Sequence, residues 1–202
     1  MGREAHCTAH YNGATSAGKL QHETDHLLFR GDYRLRISLK ELKQVQASNG
    51  ALRVDWASET ATFELGNGAA SWANALNNPK TVLDKLGVKP EHRVSVLAVT
   101  DADFLADLAR RTADVSQDRA VKGSDLIFLQ ADQADDLDML GKLGRQINPN
   151  GAVWVVTPRK RPDVADTVVI AAGRAAGLVD VKVVRFSDTH TALKFVIPKK
   201  LR

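Results

Sequence analysis

Residues 125–157 read DLIFLQADQADDLDMLGKLGRQINPNGAVWVVT, and this stretch decides the fold. Two unbroken apolar runs, Asp125–Gln130 and Ala152–Thr157, bracket a segment of different period. Leu137, Leu140, Leu143 and Ile147 recur at helical spacing and predict a helix of about three turns. Asp132 is its expected N-cap, and Asp135, Asp136 and Asp138 are read as offsetting the helix dipole rather than holding a cation. Pro149-Asn150-Gly151 predicts a turn into the second run. Apolar runs without polar alternation belong to strands covered on both faces, as in a parallel sheet with helices on either side.

Outward from that stretch the alternation continues. Towards the N-terminus come a short helix at Thr81–Leu86, a strand at Arg93–Val99 and a helix at Phe104–Arg111, with Asp101 and Asp103 just before it. Towards the C-terminus come a helix at Val164–Ala176, closed by Gly177, and strands at Val179–Phe186 and Ala192–Ile197. Only Ser187-Asp188-Thr189-His190 joins those last two strands, too short for a crossover, so they form an antiparallel hairpin. His190 is read as an exposed turn residue.

Residues 1–78 obey a different period. Tyr33, Leu35, Ile37 and Leu39 alternate with Arg34, Arg36, Ser38 and Lys40, and the pattern recurs over Leu52–Trp56 and Ala61–Leu65. Earlier strands are expected around Ala5–Tyr11, Lys19–His22 and Leu27–Arg30. Ala69, Trp72, Ala73 and Leu76 then fall on one helical face before Asn77-Asn78-Pro79. The chain is therefore expected to hold two domains. Residues 1–78 form an α+β antiparallel roll with one C-terminal helix. Residues 79–202 form an α/β Rossmann-like, mostly parallel sheet ending in an antiparallel hairpin.

At 202 residues, 44% apolar and 26% charged, the chain has the composition of a folded globular protein, which excludes collagen-like and low-complexity classes. No apolar run reaches the roughly 18 residues of a spanning helix, and Met1–His6 lacks the apolar core of a secretory leader. One cysteine forms no internal disulfide, so a cytoplasmic location is expected. The net charge of +4 is uneven: 8 Lys/Arg against 8 Asp/Glu over 1–78, 10 against 12 over 79–158, and 10 against 4 over 159–202. This basic C-terminal excess would attract an anion or nucleic acid, or is simply a solvated surface. Aromatic residues for base stacking are few, which disfavours nucleic acid.

Three groups of residues are candidate sites. Thr157-Pro158-Arg159-Lys160-Arg161-Pro162-Asp163 follows a strand and precedes a helix, so Thr157, Arg159, Lys160 and Arg161 are placed for an anion. Asp163 is the expected cap of that helix and would compete for the same amides; the plain alternative is an exposed basic loop. Thr100, Asp101 and Asp132 stand at the expected ends of the first two sheet strands, where open α/β sheets bind ligands. Cys7-x2-His10 and His22-x3-His26 imitate the ligand pairs of a zinc finger, though on strand-like rather than helical sequence; the alternative is four polar residues on the first strands of a roll. No G-x-S-x-G elbow, P-loop or G-x-G-x-x-G fingerprint occurs, and no catalytic residues are assigned.

Two resemblances add to this. Through its strand count and Trp72, roughly residues 4–77 resemble the pleckstrin-homology-like fold. That implies about seven antiparallel strands and a capping helix; the Lys/Arg cluster by which such domains hold phosphoinositides is absent from Asn12–Lys19, so no membrane partner is expected. Residues 142–202, through KLGRQINPNG (142–151) and AAGLVDVK (175–182), resemble the C-terminal half of class I methyltransferases. Leu83–Pro90 and Thr191–Val196 resemble an uncharacterised bacterial domain family with a shrunken sheet of that type. The resemblance implies S-adenosylmethionine binding by a glycine-rich turn after the first strand, yet no glycine occurs from Val88 to Lys122. The expected function is therefore a non-catalytic binding or regulatory module without a cofactor, with a protein partner and a small anion as ligands. The alternatives are a small enzyme of methyltransferase ancestry, and anion or nucleic-acid binding by the basic C-terminal region.

Overall fold

The computed structural model describes residues 3–202. The chain divides into two compact units, one ending at Pro79 and the other spanning Lys80–Arg202.

The first unit is a seven-stranded antiparallel sheet of order β4-β3-β2-β1-β7-β6-β5. Its strands are β1 (Arg3–Tyr11), β2 (Ala14–His22), β3 (His26–Arg30), β4 (Arg34–Ser38), β5 (Leu42–Ser48), β6 (Ala51–Trp56) and β7 (Glu59–Glu64). Strand β5, LKQVQAS, has no apolar alternation and was not expected from sequence; only Val45 is buried. The other strands turn alternate residues inward, and Leu20, Phe29, Leu52 and Phe63 meet in one core. Helix α1 (Ala69–Asn77) closes it with Trp72, Ala73 and Leu76, the residues its period predicted. Each large side chain buried there contributes about 1.5–3 kcal/mol. Asn77 Nδ2 donates to the Val45 carbonyl at 3.0 Å, fixing the end of α1 against β5.

The second unit is a six-stranded sheet of order β12-β13-β11-β10-β8-β9. It comprises β8 (Val94–Leu97), β9 (Val115–Gln117), β10 (Ser124–Gln130), β11 (Ile147–Pro158), β12 (Val179–Arg185) and β13 (His190–Val196). Strands β9, β8, β10 and β11 are parallel, and β13 and β12 form the antiparallel hairpin. The unbroken apolar runs are explained by cover on both faces. Leu126, Phe128, Trp154 and Val156 pack towards α2 (Val82–Leu86) and α3 (Ala102–Arg111). Ile127, Leu129, Val153 and Val155 pack towards α4 (Leu140–Gly144) and α5 (Asp166–Ala175).

Three local expectations change. The helix predicted over Leu137–Ile147 is a 3-10 turn, Ala134–Met139, followed by the short α4, and Ile147 heads β11 instead. Gly141 and Gly144, weak helix formers, sit in that α4 segment. Pro149-Asn150-Gly151 lies within β11 rather than before it, taken up by a register shift opposite Ser124–Leu126. Asp132 is not the cap: Gln133 holds that position, and Asp136 accepts from the Asp132 and Gln133 amides. A Thr81–Asp84 capping box starts α2, and the Arg111 guanidinium beside Asp84 pulls that carboxyl down to about 2.

Candidate anion site at the strand ends

The parallel core has a topological switch point. From β8 the chain passes to β9 on one side and then to β10 on the other, so the carboxyl ends of β8 and β10 border the crevice where such sheets bind ligands. The structure does bring Thr100 and Asp132 together there, but through Gln130, a residue the sequence reading passed over. Gln130 is 8% exposed. Its Oε1 accepts from the Thr100 amide at 3.3 Å, and its Nε2 donates to both carboxylate oxygens of Asp132 at 3.2 and 3.1 Å. Asp101 is engaged as well, accepting from the Phe104 amide at 2.9 Å as the N-cap of α3. A side-chain amide thus spans the crevice, and each of the three expected residues holds the fold. The backbone leaves β8 at Ala98 with φ 57°, a left-handed value that glycine adopts without strain and alanine does not.

The end of β11 is different. The chain leaves it through Lys160, also left-handed at φ 68°, and runs through a 3-10 turn, Pro162–Val164, into α5. An open depression of about 450 Å³ lies here, bordered by Thr157, Arg159, Lys160, Arg161, Ala165, Asp166 and Thr191 among others. All four residues expected to hold an anion line it. Thr157 is 2% exposed, and its hydroxyl has no hydrogen-bond partner among the described residues. Arg159 and Lys160 are exposed and form no ion pair among those residues. Arg161 is spent on Asp163 in a two-pronged pair, Nε to Oδ1 at 3.0 Å and Nη2 to Oδ2 at 2.8 Å. That pair holds the Asp163 carboxyl below its usual range.

Asp163 was expected to cap α5, and it does not. The cap position is Ala165, without a side-chain hydrogen bond, because the Pro162–Val164 turn moves the helix start on from Val164 to Asp166. At the start of this ten-residue helix the Ala165 amide donates to the Pro162 carbonyl at 3.3 Å and the Val168 amide to the Ala165 carbonyl at 2.8 Å, which leaves the Asp166 and Thr167 amides without an acceptor among the described residues. Backbone donors and the helix dipole there favour negative charge. Asp166 in the same wall brings one carboxylate, which suits a ligand carrying hydroxyl donors beside its anionic group.

The expected zinc ligands do not converge. Cys7 and His10 are three residues apart on extended β1, hence on opposite faces and about 10 Å apart. His22 ends β2 with its ring 6.3 Å from Trp72, and His26 starts β3 paired with Asp25 at 2.6 Å. Among the described residues no three His, Cys, Asp or Glu side chains cluster for a metal. Desolvation pushes the Cys7 thiol up to about 11, away from thiolate chemistry. His10 instead bridges Thr15 Oγ1 and Glu64 Oε1, both at 2.9 Å. The order hydroxyl, imidazole, carboxylate imitates a catalytic relay. It lies on an open strand face with His10 and Glu64 40% and 58% exposed, and serves as a cross-strand ladder. His190 is half-buried at the start of β13, opposite Pro158, rather than exposed in the turn.

No family profile matches this chain, and no curated protein does. Among solved structures, a SAM-dependent methyltransferase from Aquifex aeolicus is similar at 15% identity over 62% of this chain and 93% of that one, TM-score 0.46. A fibrillarin pre-rRNA processing protein from Methanococcus jannaschii is similar at 11% identity over 77% and 97%, TM-score 0.43. The C-terminal domain of a Leishmania infantum protein is similar at 18% identity over 37% and 77%, TM-score 0.33. No helix is long and apolar enough to cross a membrane among the described residues.

Proposed function

We propose that the chain is a binding module rather than a catalyst, and that its α/β unit takes a small phosphate-type anion at the carboxyl end of β11. The observation that carries this is Thr157. Thr157 is 2% exposed, its hydroxyl has no hydrogen-bond partner among the described residues, and it borders a depression that also holds two cations without an ion pair among those residues and a helix start without a side-chain cap. A bound anion would give that hydroxyl an acceptor, and such a hydrogen bond contributes about 0.5–1.5 kcal/mol net, more when the acceptor is charged. The direct test is titration of the full chain with inorganic phosphate, followed by calorimetry and by amide shifts of Thr157–Val168. Binding should weaken at least about tenfold in the Arg159→Ala/Lys160→Ala variant, since each charge-assisted bond contributes about 1.5–3 kcal/mol. Both side chains are exposed, so the urea midpoint should hold. Equal phosphate binding by the variant would end this reading.

A second reading keeps methyltransferase ancestry with activity. It is supported by the parallel β9-β8-β10-β11 core ending in an antiparallel hairpin. It needs an adenosyl ligand at the β8–β10 crevice, which the Gln130 side chain now spans. Titration with S-adenosylhomocysteine separates the two readings, because its binding would perturb Thr100 and Asp132 rather than Thr157.

A further inference from the structure

The first unit carries a row of basic side chains that nothing in its fold requires. Strand register places His6 opposite Lys19, Lys19 opposite Arg30, and Arg30 opposite Arg34. Four basic side chains therefore cross β1, β2, β3 and β4 in a single line. They share the face turned away from the core, since the alternating Leu20, Phe29 and Leu35 point inward. Neighbouring strands lie about 4.8 Å apart, so the row is close-set, and like charges directly opposite one another are destabilising. Glu4 answers Lys19 at 2.8 Å. Arg30 and Arg34 are exposed and have no ion pair among the described residues, whereas Arg36 on β4 stands 4.0 Å from the exposed carboxylate of Asp25.

The row ends at β4, an edge strand of the sheet. Arg34 and Arg36 stand two residues apart on β4, hence on the same face and about 7 Å from each other. That is the spacing of alternate side chains in a strand laid beside it. We infer that this edge docks an extended acidic segment of a partner protein, added to β4 as a further strand with alternate carboxylates against Arg34 and Arg36. Main-chain bonds to an open edge would supply affinity, and the cation row would supply the charge preference.

Other anionic partners fit this face less well. The aromatic side chains Phe29, Trp56, Phe63 and Trp72 are buried, and Tyr11 and Tyr33 pack against that same core, leaving little for base stacking. The large exposed apolar residues all belong to the second unit, so this face has no anchor for a bilayer among the described residues.

The test uses the full chain and a labelled peptide of alternating Glu and Thr, with fluorescence anisotropy as the readout. Oligouridylate and phosphatidylserine vesicles serve as competing probes. The acidic peptide should bind, weaken with added salt, and weaken at least about tenfold in the Arg30→Glu/Arg34→Glu variant. Lys43→Glu, an exposed charge reversal on β5, should bind as the unaltered chain does. Absence of peptide binding overturns the inference, as does equal binding by the double variant. Tighter binding of the RNA or the vesicles than of the peptide overturns it too, by assigning the row to another class of partner.

Discussion

Two strand ends of one sheet stand side by side in this protein and have opposite contents. At β8 and β10 a buried amide fills the crevice and bonds both sides of it. At β11 the crevice is open, cationic, and walled by a threonine hydroxyl with no partner among the described residues. The backbone is alike in one respect: each chain segment leaves its strand through a left-handed residue that is not glycine, Ala98 in one case and Lys160 in the other. Strain of that kind costs about 1–2 kcal/mol. At Ala98 it brings no functional group; at Lys160 it presents a charge to the depression. The position of a fold's binding crevice is thus set by topology, while its availability is set by the last side chain of each strand.

The largest expected effect comes from moving the helix that walls the open end. Gly173 of α5 lies flat against Phe195, and a Cβ there would stand 2.1 Å from the ring. Phe195 is fully buried and cannot retreat. Gly173→Val should therefore cost about 2–3 kcal/mol by overpacking, read as a lowered urea midpoint. Phosphate affinity should fall with it, because Ala165 and Asp166 are displaced from the depression. An unchanged midpoint would mean that α5 does not set the wall.

Next in size is the filled end. Gln130→Ala removes the amide that bonds Thr100 and Asp132, at a cost of about 1–2 kcal/mol by thermal or urea unfolding. The emptied crevice should still give no heat with S-adenosylhomocysteine, since the Val88–Lys122 segment has no glycine to admit the ligand to the backbone. Heat release would mean that Gln130 masks a working nucleotide site, and the contrast between the two ends would collapse.

Much of the fold was legible in the sequence, and less of the site. The runs at Asp125–Gln130 and Ala152–Thr157 announced a doubly covered sheet because no polar residue interrupts them, and the tight Ser187–His190 connection dictated the hairpin. Strand β5 was missed because its outward face is polar and its inward face holds one buried residue. Ile147 was misplaced because its spacing from Leu143 satisfies a helix, while the next few residues decide for a strand. At the site, the basic loop was visible as composition. The open amides of α5 were not, since Asp163 is chemically suited to cap and only three-dimensional geometry directs it to Arg161. Gln130 did leave a signal, a polar residue ending an otherwise apolar run, that periodicity alone does not interpret.

A smaller effect separates strain from function. Lys160→Gly and Ala98→Gly should each gain up to about 1 kcal/mol, as glycine accepts the left-handed backbone and gives part of that gain back in unfolded-state entropy. Only Lys160→Gly should weaken phosphate, by a few-fold, through the lost charge. Equal phosphate affinity in both variants would reduce Lys160 to a strained bystander.

The smallest effect tests whether Arg161 is held in reserve. Asp163 occupies its guanidinium, and that pairing lowers the Asp163 carboxyl pKa. Its ionised form, and the exposed pair it makes, prevail above the usual carboxylate range and are lost as pH falls through the lowered value. Protonation then frees Arg161 to face the depression. Sulfate, which keeps its charge over this range, should therefore bind more tightly as the pH drops. Asp163→Asn should bring about a threefold gain already at neutral pH, and its affinity should change less on acidification than that of the unaltered chain. Asp166 borders the depression in both proteins, so the difference between their profiles isolates Asp163. Parallel profiles would place Arg161 outside the anion's reach and leave Arg159 and Lys160 as the cations that distinguish the β11 end from the filled one.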